Sequence, residues 1–251
     1  MQKVVTNFYS PPESVKGDLI RIEGEEARHI AKVLRHKKGD AISIVDGGGV
    51  RYKTVLELIK RDFVEARVIN QVRRENEPVV NLTLACGLSV GWKMDLIIEK
   101  CTELGVRKFI PVLVEQSLVE LDQPTKIKKK LSRWNKVAVA AMKQSLRCYL
   151  PVIEEPQSLG ALALKTLDYE RCLIASLERE AISLKEALQS ESPFKDVLLL
   201  VGPESGFSDE ELQLCKERRF IPVKLGPRRL RTETAGIVFC SLVLGYLGEL
   251  E

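Results

Sequence analysis

The chain has 251 residues, 39 Lys and Arg against 35 Asp and Glu, 45% hydrophobic residues, 16 Gly, 11 Pro and 6 Cys. At roughly 100–200 residues per domain this is one large domain or two ordinary ones, with ample chain to bury a core. Balanced charge and ordinary Gly, Pro and Cys contents exclude collagen-like, disordered and disulfide-scaffold classes.

The N-terminal stretch MQKVVTNFYSPPESVKGD has no apolar core of a signal peptide, so the chain is expected to stay in the cytoplasm. Through residue 74, short apolar and polar runs alternate between turn formers. Ala41-Ile42-Ser43-Ile44-Val45 and Val64, Ala66, Val68 carry the period-2 pattern of half-buried strands, and a small β-barrel is the natural reading. One helix is predicted inside it, over 25–37, from Ala27, Ile30, Ala31 and Leu34 at helical spacing. The polar run Arg73-Arg74-Glu75-Asn76-Glu77-Pro78 reads as a linker between domains.

After the linker the rhythm changes. Apolar runs at 79–84, 109–114, 171–175, 196–201 and 220–225 alternate with helical patterns, which predicts a parallel α/β sheet covered on both faces. Met94, Ile97, Ile98, Cys101 and Leu104 make one helix face, and Gly105 can end that helix. Over 123–153 there are eight basic and no acidic residues. On a helix, Lys129, Arg133, Lys136, Lys143 and Arg147 fall within about 40° of one direction. Ile127, Leu131, Trp134, Ala138, Ala141 and Met142 take the opposite side. With no carboxylate in the segment, the basic stripe is expected to meet phosphate.

The six cysteines stand far apart with no C-x-x-C pair, and read as reduced thiols; Cys101, Cys172 and Cys240 read as core. His29 and His36 are too few to hold a metal by themselves, so no metal is expected. The longest apolar stretch, 235–247, is broken by Gly236, Ser241 and Gly245 and falls short of the ~20 residues of a bilayer crossing.

Two loops carry the chemistry. Val201-Gly202-Pro203-Glu204-Ser205-Gly206-Phe207 follows the strand DVLLLV and leads into a helix capped by Ser208 with Glu211, a capping box. Ligands of open α/β sheets bind outside such carboxyl ends, and glycines let backbone approach a ligand closely. Leu225-Gly226-Pro227-Arg228-Arg229-Leu230-Arg231 follows the strand FIPVKL, with Thr232 as the expected N-cap of the next helix and Glu233 in its first turn. Three arginines above a helix N-terminus form an electropositive mouth that suits phosphate. Neither a nucleophile–base arrangement nor a Walker lysine is visible, so the chemistry rests on binding and positioning.

At these loops the chain resembles the SPOUT methyltransferases, specifically the ribosomal RNA small subunit methyltransferase E family, which methylates uridine N3 in 16S ribosomal RNA. The resemblance is nearly full-length. It is carried by His29 to Arg35 (HIAKVLR), Lys93-Met94-Asp95, Glu99-Lys100, Glu103-Leu104-Gly105-Val106, Gln144-Ser145 with Arg147 and Pro151, Gly202-Pro203-Glu204, Gly206-Phe207-Ser208, and Leu225-Gly226-Pro227-Arg228 with Leu230-Arg231-Thr232-Glu233-Thr234-Ala235. Two positions depart from the family pattern: Ser205 stands where it has a glycine, and Lys143 where a Glu is common.

The resemblance implies an α/β protein with an N-terminal PUA-like β-barrel for RNA (1–74) and a C-terminal SPOUT domain (79–251) with a trefoil knot. It further implies S-adenosyl-L-methionine as methyl donor, a homodimer, and 16S rRNA in the small ribosomal subunit as partner. The cofactor would sit against Ser176, Val201, Gly202, Pro203, Glu204, Gly206, Leu225, Gly226, Pro227 and Leu230. RNA would meet Arg35, Lys129, Arg133, Lys136, Arg147 and Arg228, while Arg231 would stabilise the uridine anion and Glu233 would orient Arg231 or take the proton. A ribose 2′-O-methyltransferase, a methylase of another ribosomal base and a cofactor-free assembly factor are the competing readings. Ser205 is small and is expected to be tolerated.

Overall fold

The computed structural model describes residues 7–89, 91–117, 123–190 and 193–250; the first six residues of the predicted N-terminal domain lie outside them. The chain divides into two compact units, one of residues 1–77 with 139–150, the other of 78–138 with 151–251.

In the first unit, β1 (Asn7–Tyr9), β2 (Val15–Lys16), β3 (Leu19–Glu23), β4 (Ala41–Val45), β5 (Val50–Ile59) and β6 (Phe63–Arg73) form one sheet in the order β1-β4-β5-β6-β3-β2. Only β1–β4 is parallel; the other pairings are antiparallel. The period-2 pattern is realised as read: Ile42, Ile44, Val64 and Ala66 are buried together with Phe8, Ile20, Ile22 and Leu56, and Val68 packs partly buried beside them.

The predicted 13-residue helix is shorter and irregular. An α-helical turn, α1 (Gly24–Arg28), passes into a π-helical turn (His29–Val33). Ala27 and Ile30 face the core as expected, but Leu34 does not. Its N–H bonds five residues back to the His29 carbonyl at 2.9 Å, which rotates it out of the 3.6-residue stripe and leaves it 44% exposed.

The second unit contains β7 (Asn81–Gly87), α2 (Lys93–Leu104), β8 (Lys108–Leu113), β9 (Val152–Ile153), β10 (Gln157–Ser158), α4 (Leu159–Ala163), β11 (Arg171–Ala175), β12 (Ile182–Ser183), α5 (Leu184–Leu188), β13 (Asp196–Val201), α6 (Asp209–Glu217), β14 (Phe220–Lys224) and α7 (Thr232–Tyr246); the intervening α3 (Pro124–Gln144) falls partly in each unit. Its eight strands pair only in parallel, in the order β10-β8-β7-β13-β11-β14-β12, with β9 beside β8. Strands such as Leu82 to Cys86 and Val197 to Val201 are buried throughout, as parallel strands covered on both faces must be. The five apolar runs are therefore strands, and α2 ends where Gly105 takes φ +114°.

Helix α3 buries Trp134, Ala138, Ala141 and Met142 on the apolar side read from the sequence. It stops at Gln144, however, and Leu146 turns the chain with φ +59°. Arg147 consequently points inward at 2% exposure and is not part of a phosphate-facing stripe. It donates to Glu77 Oε2 through Nη2 at 2.8 Å and Nε at 3.2 Å, while Glu77 Oε1 accepts the backbone N–H groups of Cys148 and Tyr149 at 2.7 and 2.9 Å. The last residues of the polar run read as a linker thus hold a buried, fully satisfied carboxylate in the first unit. The missing acidic partners of the basic helix come from elsewhere in the chain: Lys143 pairs with Glu26 and Arg133 with Asp95.

All six cysteines are free and buried. Among the described residues no helix is long and apolar enough to cross a membrane, and no group of His, Cys, Asp and Glu could hold a metal.

Candidate active site

In the second sheet β11 lies between β13 and β14, so the carboxyl ends of three adjacent parallel strands emerge side by side. Residues 175–178, 201–207 and 225–232 from these ends, closed by Leu212 of α6 and Ala235 of α7, surround a cavity of about 540 Å³. Such an opening is where an open α/β sheet binds its ligand. The sequence marked the second and third segments by their glycines and arginines. The first carries no such mark, and only the strand order brings it in.

Each wall is fixed locally. The Ser176 N–H donates to the Val223 carbonyl at 3.0 Å, tying the first segment to β14. Glu178 is held at the wall by its own N–H to Ser176 Oγ at 3.0 Å and by Lys216 Nζ at 3.2 Å from Oε1. The second segment is bounded by the capping box, both halves of which are formed: Glu211 N–H to Ser208 Oγ at 3.3 Å and Ser208 N–H to Glu211 Oε2 at 2.9 Å. The backbone at Gly87 lies so close beneath this segment that a Cβ there would come within 2.3 Å of Pro203 Cδ. Gly206 takes φ +80°, whereas Ser205 is not among the residues with positive φ, so its side chain does not strain the backbone; its Oγ is buried without a hydrogen-bond partner.

Of the candidate cofactor residues, Ser176, Val201, Gly202, Pro203, Glu204, Gly206, Leu225, Gly226 and Leu230 line this cavity. Pro227 is exposed and stands outside the lining. Phe207 and Arg229 of the two loops, with Leu177 and Glu178, which the sequence did not single out, are also in its lining.

Charge is unevenly distributed around the opening. Glu204 is paired with Lys93 of α2. Burial opposes its charged form, yet the Lys93 ammonium prevails and holds the carboxyl below its ordinary value. Arg228, Arg229 and Arg231 are exposed along the third segment. Arg231, not Thr232, is the N-cap residue of α7, with no side-chain cap bond; Thr232 is buried in the first turn. Glu233 follows it, 6% exposed, with Oε2 buried and unpartnered, and no ion pair joins it to Arg231.

Burial, with Cys240, Glu204 and Glu233 nearby, pushes the Cys86 thiol well up, and burial drives Cys215 to about 12 and Cys172 to about 11. These thiols stay protonated, which leaves no thiolate nucleophile among them. The site offers shaped walls and a cationic mouth; Glu233, with its unpartnered buried Oε2, lies next to lining residue Thr232 in α7 but is not itself in the lining.

The candidate RNA residues are dispersed. Arg35 is exposed in the first unit at φ +53°. Lys129, Arg133 and Lys136 are exposed on α3, Arg228 is at the cavity, and Arg147 is withdrawn into its pair with Glu77.

The chain matches the family model described as an RNA methyltransferase domain over residues 75–244 and that of an RNA methyltransferase PUA domain over residues 22–69. It is 36% identical to the ribosomal RNA small subunit methyltransferase E of Bacillus subtilis, covering 91% of this chain and 90% of that protein. The enzyme of the same name from Synechocystis is 31% identical over 90% of this chain and 73% of its own length. Among solved structures, the ribosomal RNA small subunit methyltransferase E of Neisseria gonorrhoeae bound to S-adenosyl methionine superimposes with a TM-score of 0.85 at 29% identity, covering 96% of this chain and 97% of that one. Two sheets with a PUA-like N-terminal domain, a ligand-sized opening at three parallel strand ends and matches over nine-tenths of the chain lead to one conclusion: the chain belongs to the ribosomal RNA small subunit methyltransferase E family.

Proposed function

We propose that this chain transfers a methyl group from S-adenosylmethionine to N3 of a uridine in the 16S rRNA of the small ribosomal subunit. The observation that carries the reading is the cavity at the ends of β11, β13 and β14, with Arg231 in its lining and Glu233, whose buried Oε2 has no partner, two residues further on in α7. The residues fit the cofactor: about 540 Å³ suits a nucleoside-sized ligand, Gly202, Gly206 and Gly226 let backbone approach it, and Ser176, Glu178 and Glu204 offer polar partners. When bound, S-adenosylmethionine supplies an electrophilic methyl group.

The chain's own residues have two tasks. N3 of uridine carries a proton that must leave as the nucleophile forms. Arg231 stabilises the negative charge that develops on the base, as an oxyanion hole does. Of the two roles open to Glu233, taking the proton is the one its unpaired oxygen supports, because no ion pair commits it to Arg231. The walls hold the partners in line, where positioning contributes much of the acceleration. The N-terminal unit and the exposed Arg35, Lys129, Arg133, Lys136 and Arg228 hold the RNA.

The same reading includes closure of the first sheet into a barrel, a trefoil knot in the second unit, work in the cytoplasm and a homodimer. Leu242 and Tyr246, large apolar side chains 45% and 44% exposed on α7, support the last of these.

The test is nucleoside mass analysis of small subunits treated with enzyme and cofactor. We expect 3-methyluridine; a 2′-O-methylated ribose would overturn the assignment. Arg231→Ala is expected to lower turnover by about 10²–10³-fold while leaving the cofactor-induced thermal shift in place. Near-normal turnover would remove Arg231 from its role.

A further inference from the structure

The first unit carries a cationic turn with an apolar tip. Arg28, Lys32, Arg35, Lys37 and Lys38 fall within eleven residues without an intervening carboxylate. The nearest acids are occupied: Asp40 accepts from His36 Nδ1 at 3.0 Å and the Lys37 N–H at 2.9 Å, and Glu26 pairs with Lys143. At the tip, Val33 and Leu34 are 69% and 44% exposed.

This turn is braced. Ile30 is wholly buried, the Leu34 N–H bonds to the His29 carbonyl at 2.9 Å and the His36 N–H to the Ile30 carbonyl at 3.1 Å. Phe8 packs edge-on against both His29 and His36, with ring centroids 6.1 Å apart in each case. Arg35 closes the turn at φ +53°. Leu34 would join the buried stripe of Ala27 and Ile30 if the α-helix continued. Instead a π-helical turn rotates Leu34 outward beside the exposed Val33, between cations, at a cost in exposed apolar surface.

We propose that this turn grips single-stranded RNA, with Val33 and Leu34 packed against an unstacked base while Arg35, Lys37 and Lys38 meet the flanking phosphates. Charge selects a polyanion. The apolar tip selects one whose base faces are open, since duplex RNA presents phosphates and 2′-hydroxyls but keeps its base faces stacked. The inference rests on the reading that the chain acts on RNA, and adds which form of RNA the N-terminal unit holds and by which side chains.

The experiment compares the full chain with Val33→Ser/Leu34→Ser and Arg35→Ala/Lys37→Ala variants. Fluorescence anisotropy is measured with a labelled 12-nucleotide single strand and with a hairpin duplex of similar length, across a salt series. The apolar variant is expected to lose on the order of tenfold in affinity for the single strand, little for the duplex, with an unchanged salt slope. The cationic variant is expected to flatten that slope. Single-strand affinity within twofold of the parent, or equal losses on both RNAs, would overturn the proposal. So would a changed mass in sedimentation, which would make the tip a protein contact. Absence of a cofactor-induced thermal shift in the parent chain would instead count against the methyltransferase reading, and leave the RNA result legible.

Discussion

Lys93 shows how one residue sets the electrostatics of the cavity. It approaches Glu204 from α2, and no local pattern in the sequence links the two, which lie 111 positions apart. Because Lys93 holds the Glu204 carboxyl down, the pair's contribution to stability is present above the unfolded carboxyl value of about 4.3 and is lost as pH falls through the folded value. In Lys93→Met burial, which favours the protonated acid, is opposed only by the remaining hydrogen bonds to the carboxylate. The variant should therefore melt below the parent by an amount that is largest near pH 7 and shrinks as pH falls through the lowered folded value of the parent's Glu204. Melting curves from pH 3 to 8 check this, and a gap independent of pH would show that Lys93 acts through packing alone. Arg147 teaches the complementary lesson. Its spacing places it on a basic stripe, but the end of α3 at Gln144, the turn at Leu146 and the Glu77 carboxylate draw it inside. A guanidinium buried against a carboxylate that also accepts two backbone N–H groups is a structural group, and wheel geometry has no means to report that.

At the scale of elements, local signals were read well where the physics is local. Apolar runs became parallel strands, Gly105 ended α2, and Ser208 with Glu211 formed both bonds of the capping box. That box also anchors the cavity, since Glu211 Oε1 accepts the Glu115 N–H at 2.8 Å while the loop it bounds supplies the wall. Ser208→Ala should cost about 1 kcal/mol in urea denaturation and speed amide exchange at Glu211, whose N–H the Ser208 hydroxyl accepts. Unchanged stability would mean that α6 is held by packing instead. At His29–Val33 a hydrogen bond spanning five residues overrides the helical period, and at the start of α7 the ordinary bond from the Ala235 N–H to the Arg231 carbonyl at 2.7 Å makes Arg231 and not Thr232 the cap residue.

At the scale of the molecule, the near-neutral charge balance conceals where the cations are free to act. Lys129 and Lys136 are exposed on α3, Arg133 beside them is tied to Asp95, and Lys143 is tied to Glu26. A Lys129→Ala/Lys136→Ala variant should therefore flatten the dependence of log affinity on log salt by roughly 1.5–2 in binding to small-subunit RNA. An unaltered slope would take this face of α3 off the RNA. By itself the sequence determined the class of fold, the strand segments of the second unit, the two glycine-bearing loops and the family, because burial period, capping and close backbone approach leave marks on neighbouring residues. Only the tertiary structure decided that β11 lies between β13 and β14, so that residues 175–178 close the cavity, that Lys93 meets Glu204, and that Arg147 is buried. Parallel strand order and ion pairs between distant residues are set by crossover connections and packing, and neither repeats along the chain with a period that can be read in advance.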